Sequence, residues 1–139
     1  MIKHGIKVLA IDRQLNEDFI LGRLSDKKLI LFSKCDFENL VLSKTELLTT
    51  FFSIPFCSPD KFDELWNKIY NSLEDNGYFV GQLFGDRDAW DSIDSINTFS
   101  LEKVKNYLKR YKIIKLLEVE YVRKSDGKKW HFYNIIAKK

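Results

Sequence analysis

Apolar residues fall into short runs in the first third of the chain, then into one clear helical stripe, then into two long strand-like stretches at the end. Val8-Leu9-Ala10-Ile11, entered through Lys7 and closed by Asp12, predicts a buried strand of a parallel sheet with an acid at its carboxyl end. Arg13 to Leu24 is weakly helical, and Leu29-Ile30-Leu31-Phe32 predicts a second strand. Leu47 to Ile54 predicts a third, rich in Thr and Phe and stopped by Pro55.

Phe62, Leu65, Trp66, Ile69, Tyr70 and Leu73 recur at steps of three and four and predict the strongest helix in the chain. Its expected start is Ser58 as cap with Pro59 in the first turn and Asp60, Asp63 and Glu64 at the positive end of the dipole; its expected stop is Gly77. A fourth strand, Tyr78 to Phe84, follows. The polar loop from Gly85 to Asn97 carries Asp86, Asp88, Asp91 and Asp94 against Arg87 alone, with Trp90 and Ile93 as its apolar anchors, and is expected to be mobile. Ser100 caps a further helix with an apolar side of Leu101, Val104, Tyr107 and Leu108. Ile113 to Val122 and Trp130 to Ala137 flank Ser125-Asp126-Gly127 as an antiparallel hairpin. Alternating strands and helices make the class α/β, one domain over residues 1–139, with a mostly parallel sheet closed by one antiparallel strand.

A chain of 139 residues with 45% hydrophobic residues can fill a core. No apolar run approaches the twenty or so residues of a membrane span. Met1 to Gly5 enters the first strand at once and leaves no room for a signal peptide, so a cytoplasmic location and a structural role for both Cys35 and Cys57 are expected. The charge is uneven: residues 1–100 carry eleven Lys/Arg against sixteen Asp/Glu, and residues 101–139 carry twelve against four. A basic end attracts anions, but no nucleic-acid-binding motif accompanies it, so solvated lysines on helix and strand faces are the favoured explanation.

Two histidines, His4 and His131, exclude a multi-His metal site, and no GxSxG, phosphate-binding GxxxxGK or CxxC motif is present. Acids at strand ends are the remaining chemistry. Asp12 stands where nucleotide-binding sheets place a carboxylate against ribose hydroxyls, although a helix cap would look the same. Asp36 and Phe37 follow the second strand, where an acid can hold the exocyclic amine of adenine and a ring can pack on it; a turn Asp beside a core Phe is the plain alternative. Phe52, Ser53, Pro55 and Phe56 leave the third strand and Trp90 follows the fourth, all at the carboxyl edge where ligands of open α/β sheets bind.

Taken in order, Val8 to Asp12, Asp36-Phe37-Glu38, Phe52 to Phe56, Phe62-xx-Leu65-Trp66, Gly77 to Gly81 with Phe84-Gly85, and Trp130-His131 resemble the class I S-adenosylmethionine-dependent methyltransferases, and within them the small bacterial tellurite-resistance-type group. The resemblance implies a Rossmann-like methyltransferase fold, S-adenosyl-L-methionine as cofactor, Asp12, Asp36, Phe37, Phe52 and Ser53 around it, and Pro55, Phe56 and Trp90 toward a small-molecule substrate. It assigns no catalytic residue and no metal ligand. In the family a first strand and a GxGxG turn precede the segment matched here, and Met1 to Gly5 looks like the last turn of the helix that follows them. That strand would lie between the strands ending at Asp12 and near Ile54, so its absence predicts exposed strand edges, apolar patches and a homodimer or completion by another chain.

Three functions follow from this reading. The first is an active methyltransferase, whose reaction depends on alignment more than on a dedicated nucleophile. The second is a non-catalytic methyltransferase-like domain serving as a binding or assembly module. An NAD-linked dehydrogenase shares the strand-end acid but fits the terminal hairpin poorly.

Overall fold

The computed structural model describes residues 4–24 and 26–139. The helical turn expected over Met1 to Gly5 falls largely on residues 1–3, outside the described residues. By the density of its internal packing the chain divides into two compact units, residues 1–40 and 41–139.

In the first unit, β1 (Val8–Ile11) and β2 (Ile30–Ser33) pair in parallel, from Val8 beside Ile30 to Ile11 beside Ser33. The Asp12 amide extends the ladder by donating to the Ser33 carbonyl at 3.3 Å. The helix α1 (Glu17–Leu21) that connects them is shorter than the weak signal from Arg13 to Leu24 predicts. Asn16 caps it by accepting from the Phe19 amide at 3.0 Å, and Gly22 closes it after five residues. The deep burial expected of β1 is not found: Leu9 and its ladder neighbour Leu31 are 46% and 71% exposed. A two-stranded ribbon packs on one face only, so half of its apolar residues stay outside.

The second unit holds β3 (Thr45–Thr50), α2 (Phe62–Ser72), β4 (Leu73–Gly85), β5 (Thr98–Phe99), α3 (Leu101–Leu108), β6 (Lys112–Val122) and β7 (Lys129–Lys138). Its strands run in the order β3-β4-β7-β6, with the short β5 added to β4. β3 and β5 are parallel to β4, while β7 is antiparallel to both β4 and β6. This is the expected mostly parallel arrangement with one antiparallel strand.

Two element ends differ from the sequence reading. β3 stops at Thr50, four residues before Ile54, because Phe52 adopts φ +50° and Ile54–Phe56 winds into a 3-10 turn. α2 stops at Ser72, whose hydroxyl donates to the Ile69 carbonyl, and β4 begins at once, so Gly77 lies within a strand rather than at a helix end. Ser58 and Pro59 open a 3-10 turn that leads into α2.

The helical stripe does what its spacing predicts. Phe62, Leu65, Trp66 and Ile69 are buried, and with Val104 and Leu108 of α3 they cover one face of the sheet at Phe79, Tyr133, Ile135 and Ala137. Trp66 sets its ring edge-on to Phe79 at 5.1 Å, and its indole N–H donates to the Tyr107 carbonyl at 3.0 Å, which ties α2 to α3. Phe79 is fully buried and touches the rings of both Trp66 and Tyr111. Phe79→Ala should therefore cost about 3–5 kcal/mol of stability, the usual range for emptying an aromatic core position, measured as a lowered urea midpoint with an unchanged slope.

Candidate functional site

The carboxyl ends of the parallel strands carry the residues with chemistry in both units. In the first unit, Asp12 leaves β1 and Asp36 lies three residues past β2, on neighbouring strands. Asp12 is exposed, and one carboxylate oxygen accepts from the Gln14 amide at 2.6 Å, a turn that fixes the side chain without neutralising it. Asp36 is exposed and lies 3.8 Å from the Arg13 guanidinium. Phe37 is half-buried next to it.

In the second unit, Phe52 and Ser53 follow β3. Phe52 sits in the left-handed region, which costs a bulky residue on the order of 1–2 kcal/mol. Ring contacts hold it there: Phe84 stacks at 5.2 Å, and Phe132 and Trp130 meet it edge-on at 5.1 and 5.7 Å. The Ser53 hydroxyl is spent on Thr50 at 2.6 Å. Phe56 is 49% exposed and packs edge-on to Phe84 at 5.9 Å and Trp90 at 6.1 Å. Pro55 is buried, and its carbonyl accepts from both the backbone and the side chain of Asn97. The structure thus brings Phe52, Phe56 and Trp90 together as an aromatic mouth, with Pro55 beneath it.

What the sequence reading missed is the lock that holds this mouth. His131, on β7, is fully buried, and its ring occupies the space a side chain at Gly85 would need: a Cβ there would lie 2.0 Å from Nδ1. Nδ1 accepts from the Arg87 amide at 3.0 Å, and Nε2 lies 2.9 Å from a Glu118 carboxylate oxygen and 3.1 Å from the Arg87 guanidinium. Asp88, 4% exposed, spends both oxygens on backbone amides, one from Trp90 at 3.0 Å and one from His131 at 2.8 Å. The Arg87 side chain reaches Glu118 at 2.5 Å and Glu120 at 3.0 Å. These partners draw the acids down: Arg87 first, then His131, lowers Glu118, and Lys129 with Arg87 lowers Glu120 to about 2.

The loop from Gly85 to Asn97 is therefore pinned at both ends and through Asp88. Expecting it to be held by Trp90 and Ile93 alone took the aspartates as mutual repulsion, whereas Asp88 is a buried acceptor. The signal was present in Gly85-Asp86-Arg87-Asp88 and in Trp130-His131, but their pairing is set by β4 lying against β7. Among the described residues no group of His, Cys, Asp and Glu is arranged to hold a metal, and no helix is long and apolar enough to cross a membrane.

No protein-family profile matches this sequence, and no curated protein matches it at the sequence level. Solved structures do match its fold. TehB from Haemophilus influenzae is 16% identical, over 97% of this chain and 50% of that one, with a TM-score of 0.78. The 1,6-didemethyltoxoflavin-N1-methyltransferase of Burkholderia thailandensis, solved with 1,6-didemethyltoxoflavin and S-adenosylhomocysteine, is 15% identical over 99% of this chain and 63% of that one, TM-score 0.74. A SAM-dependent methyltransferase from Methanosarcina mazei is 14% identical over 98% of this chain and 83% of that one, TM-score 0.70. The chain has the Rossmann-like fold of the SAM-dependent methyltransferases, and it spans about half the length of TehB.

The lock makes a quantitative demand. Gly85→Ala should cost about 1–3 kcal/mol by overpacking against His131, and should cost much less in a His131→Ala background. A double-mutant cycle from urea unfolding reads the coupling, and equal costs in both backgrounds would show that the two positions are independent.

Proposed function

We propose that the chain is an S-adenosyl-L-methionine-dependent methyltransferase-family protein acting on a small molecule. The observation that carries the reading is the pair of exposed acids, Asp12 and Asp36, at the carboxyl ends of adjacent parallel strands, in a chain with this fold. The residues fit the cofactor. Asp12 keeps one carboxylate oxygen for ribose hydroxyls while the other is fixed by Gln14, and Asp36 with Phe37 offers an acceptor and a ring for adenine. When bound, S-adenosyl-L-methionine supplies a methyl group on a positively charged sulfur, which a lone pair on the acceptor can displace.

The chain's own part is placement. Phe52 and Phe56 form apolar walls at the end of β3, and Trp90 is aimed by Asp88. No side chain in the mouth is needed as a nucleophile, because direct displacement depends on alignment. The whole activity, including any further segment that completes the site, is part of this proposal, as is a cytoplasmic location.

Self-association is a second part of it. Leu47, Tyr78, Leu117 and Tyr121 lie on the face of the second sheet opposite α2 and α3 and are 39–47% exposed. A face of this kind favours a homodimer. Light scattering at micromolar concentration should give twice 16.5 kDa, and a sharp monomer peak would remove the dimer.

Isothermal titration should show S-adenosylmethionine binding in the micromolar range. Asp12→Ala should weaken it by about 1.5–3 kcal/mol, as expected for loss of a hydrogen bond to a charged group. Absence of binding would favour the non-catalytic module, and an unchanged dissociation constant in the variant would take Asp12 out of the site.

A further inference from the structure

The aromatic mouth continues onto the tip of the β6–β7 hairpin, and there it meets a cation. The Lys128 ammonium lies 3.5 Å from the centre of the Trp90 ring and 5.2 Å from that of Trp130. Two indoles from different elements therefore share one ammonium, a cation–π arrangement. Its approach is fixed from the backbone: the Lys128 amide donates to Asp126 at 3.1 Å, and its carbonyl accepts from the Arg123 amide at 2.8 Å. Asp126 is itself bound by the Arg123 guanidinium, which stands 5.6 Å over Trp130. Among the described residues, no carboxylate lies within ion-pair distance of the Lys128 ammonium. The result is a half-buried positive charge, held by rings and offering its N–H donors, beside exposed Phe56.

Such a box can meet a ligand in two ways. A cationic ligand would have to displace an ammonium tethered in place, which competes at high effective concentration. An anionic ligand adds to what is there: its ring lies against Trp90 and Phe56, and its charge takes up the ammonium's free donors. The uneven charge of the chain, twelve Lys/Arg against four Asp/Glu over residues 101–139, favours the same sign. We infer that the substrate held at this mouth is a planar aromatic anion, such as an arene carboxylate or phenolate, lying against the exposed edges of Trp90 and Phe56 with its charge on Lys128. The inference rests on the methyltransferase reading only for calling this ligand the methyl acceptor. An anionic acceptor also suits a positively charged donor, because the charges cancel as the methyl group passes.

The test uses the full chain without cofactor, with tryptophan fluorescence as readout, since two of the three tryptophans are in the box. The probes are naphthoate, its neutral isostere naphthamide, and naphthylmethylammonium. Naphthoate should quench saturably and bind about tenfold more tightly than the amide, a factor that corresponds to about 1.4 kcal/mol, and the ammonium should bind no better than the amide. Lys128→Gln should bring naphthoate down to the amide's affinity and leave the amide within about twofold, whereas Lys128→Arg should retain the preference. Equal binding of acid and amide, tighter binding of the ammonium, absence of saturable quenching, or a preference that survives in Lys128→Gln would each overturn the inference. Because no cofactor is present, a chain that selects naphthoate but fails to bind S-adenosylmethionine would keep this site and lose the methyltransferase reading; the converse result would do the opposite.

Discussion

The meeting of Gly85 with His131 is the constraint on which the second unit's site depends. β4 can run to its carboxyl end against β7 only because Gly85 has no side chain, and the imidazole fills that space completely. Once there, His131 accepts from the Arg87 amide through its ring and donates its own amide to Asp88. The chain leaving β4 is therefore directed by buried hydrogen bonds from its first residues. A buried polar network of this kind holds its geometry because each unpaired member would cost on the order of 1–3 kcal/mol.

From that anchor the site follows outward. Asp88 fixes Trp90, Trp90 packs on Phe56 and Phe84, and Phe84 stacks on Phe52, whose left-handed backbone ends β3. Asn97 then returns the loop to Pro55 and Cys57. Polar groups carry the positioning and rings carry the surface, an arrangement suited to holding a flat apolar molecule while leaving alignment to the scaffold. In the first unit the equivalent economy is simpler: each of two parallel strands leads into an acid, and one Asx turn orients the first of them.

Much of this was legible in local pattern. α2 announced itself because burial on one helix face imposes three- and four-residue spacing, Asp12 because a polar residue directly after an apolar run marks a strand end, and Asp36 because it stands in the polar stretch that follows the second run. The single antiparallel strand followed from the alternation and the final hairpin. The fold likeness to methyltransferases followed from the same pieces taken together. The rest depended on which strands are neighbours. Asp88 resembled one more loop acid until β7 supplied its partner, His131 entered only as a piece of the family resemblance and as one of two histidines too few for a metal site, and Lys128 was one solvated lysine among many. Gly77 misled because a glycine after a helical stripe is a common stop, whereas here the strand had already begun.

The central proposal is that the strand-end acids after β1 and β2 receive S-adenosyl-L-methionine. It is tested most directly by titrating the isotope-labelled protein with S-adenosylhomocysteine and following amide shifts by NMR. The account predicts saturable shifts at Asp12, Gln14, Asp36 and Phe37. Saturable shifts confined to other parts of the chain, or none at millimolar ligand, would contradict it.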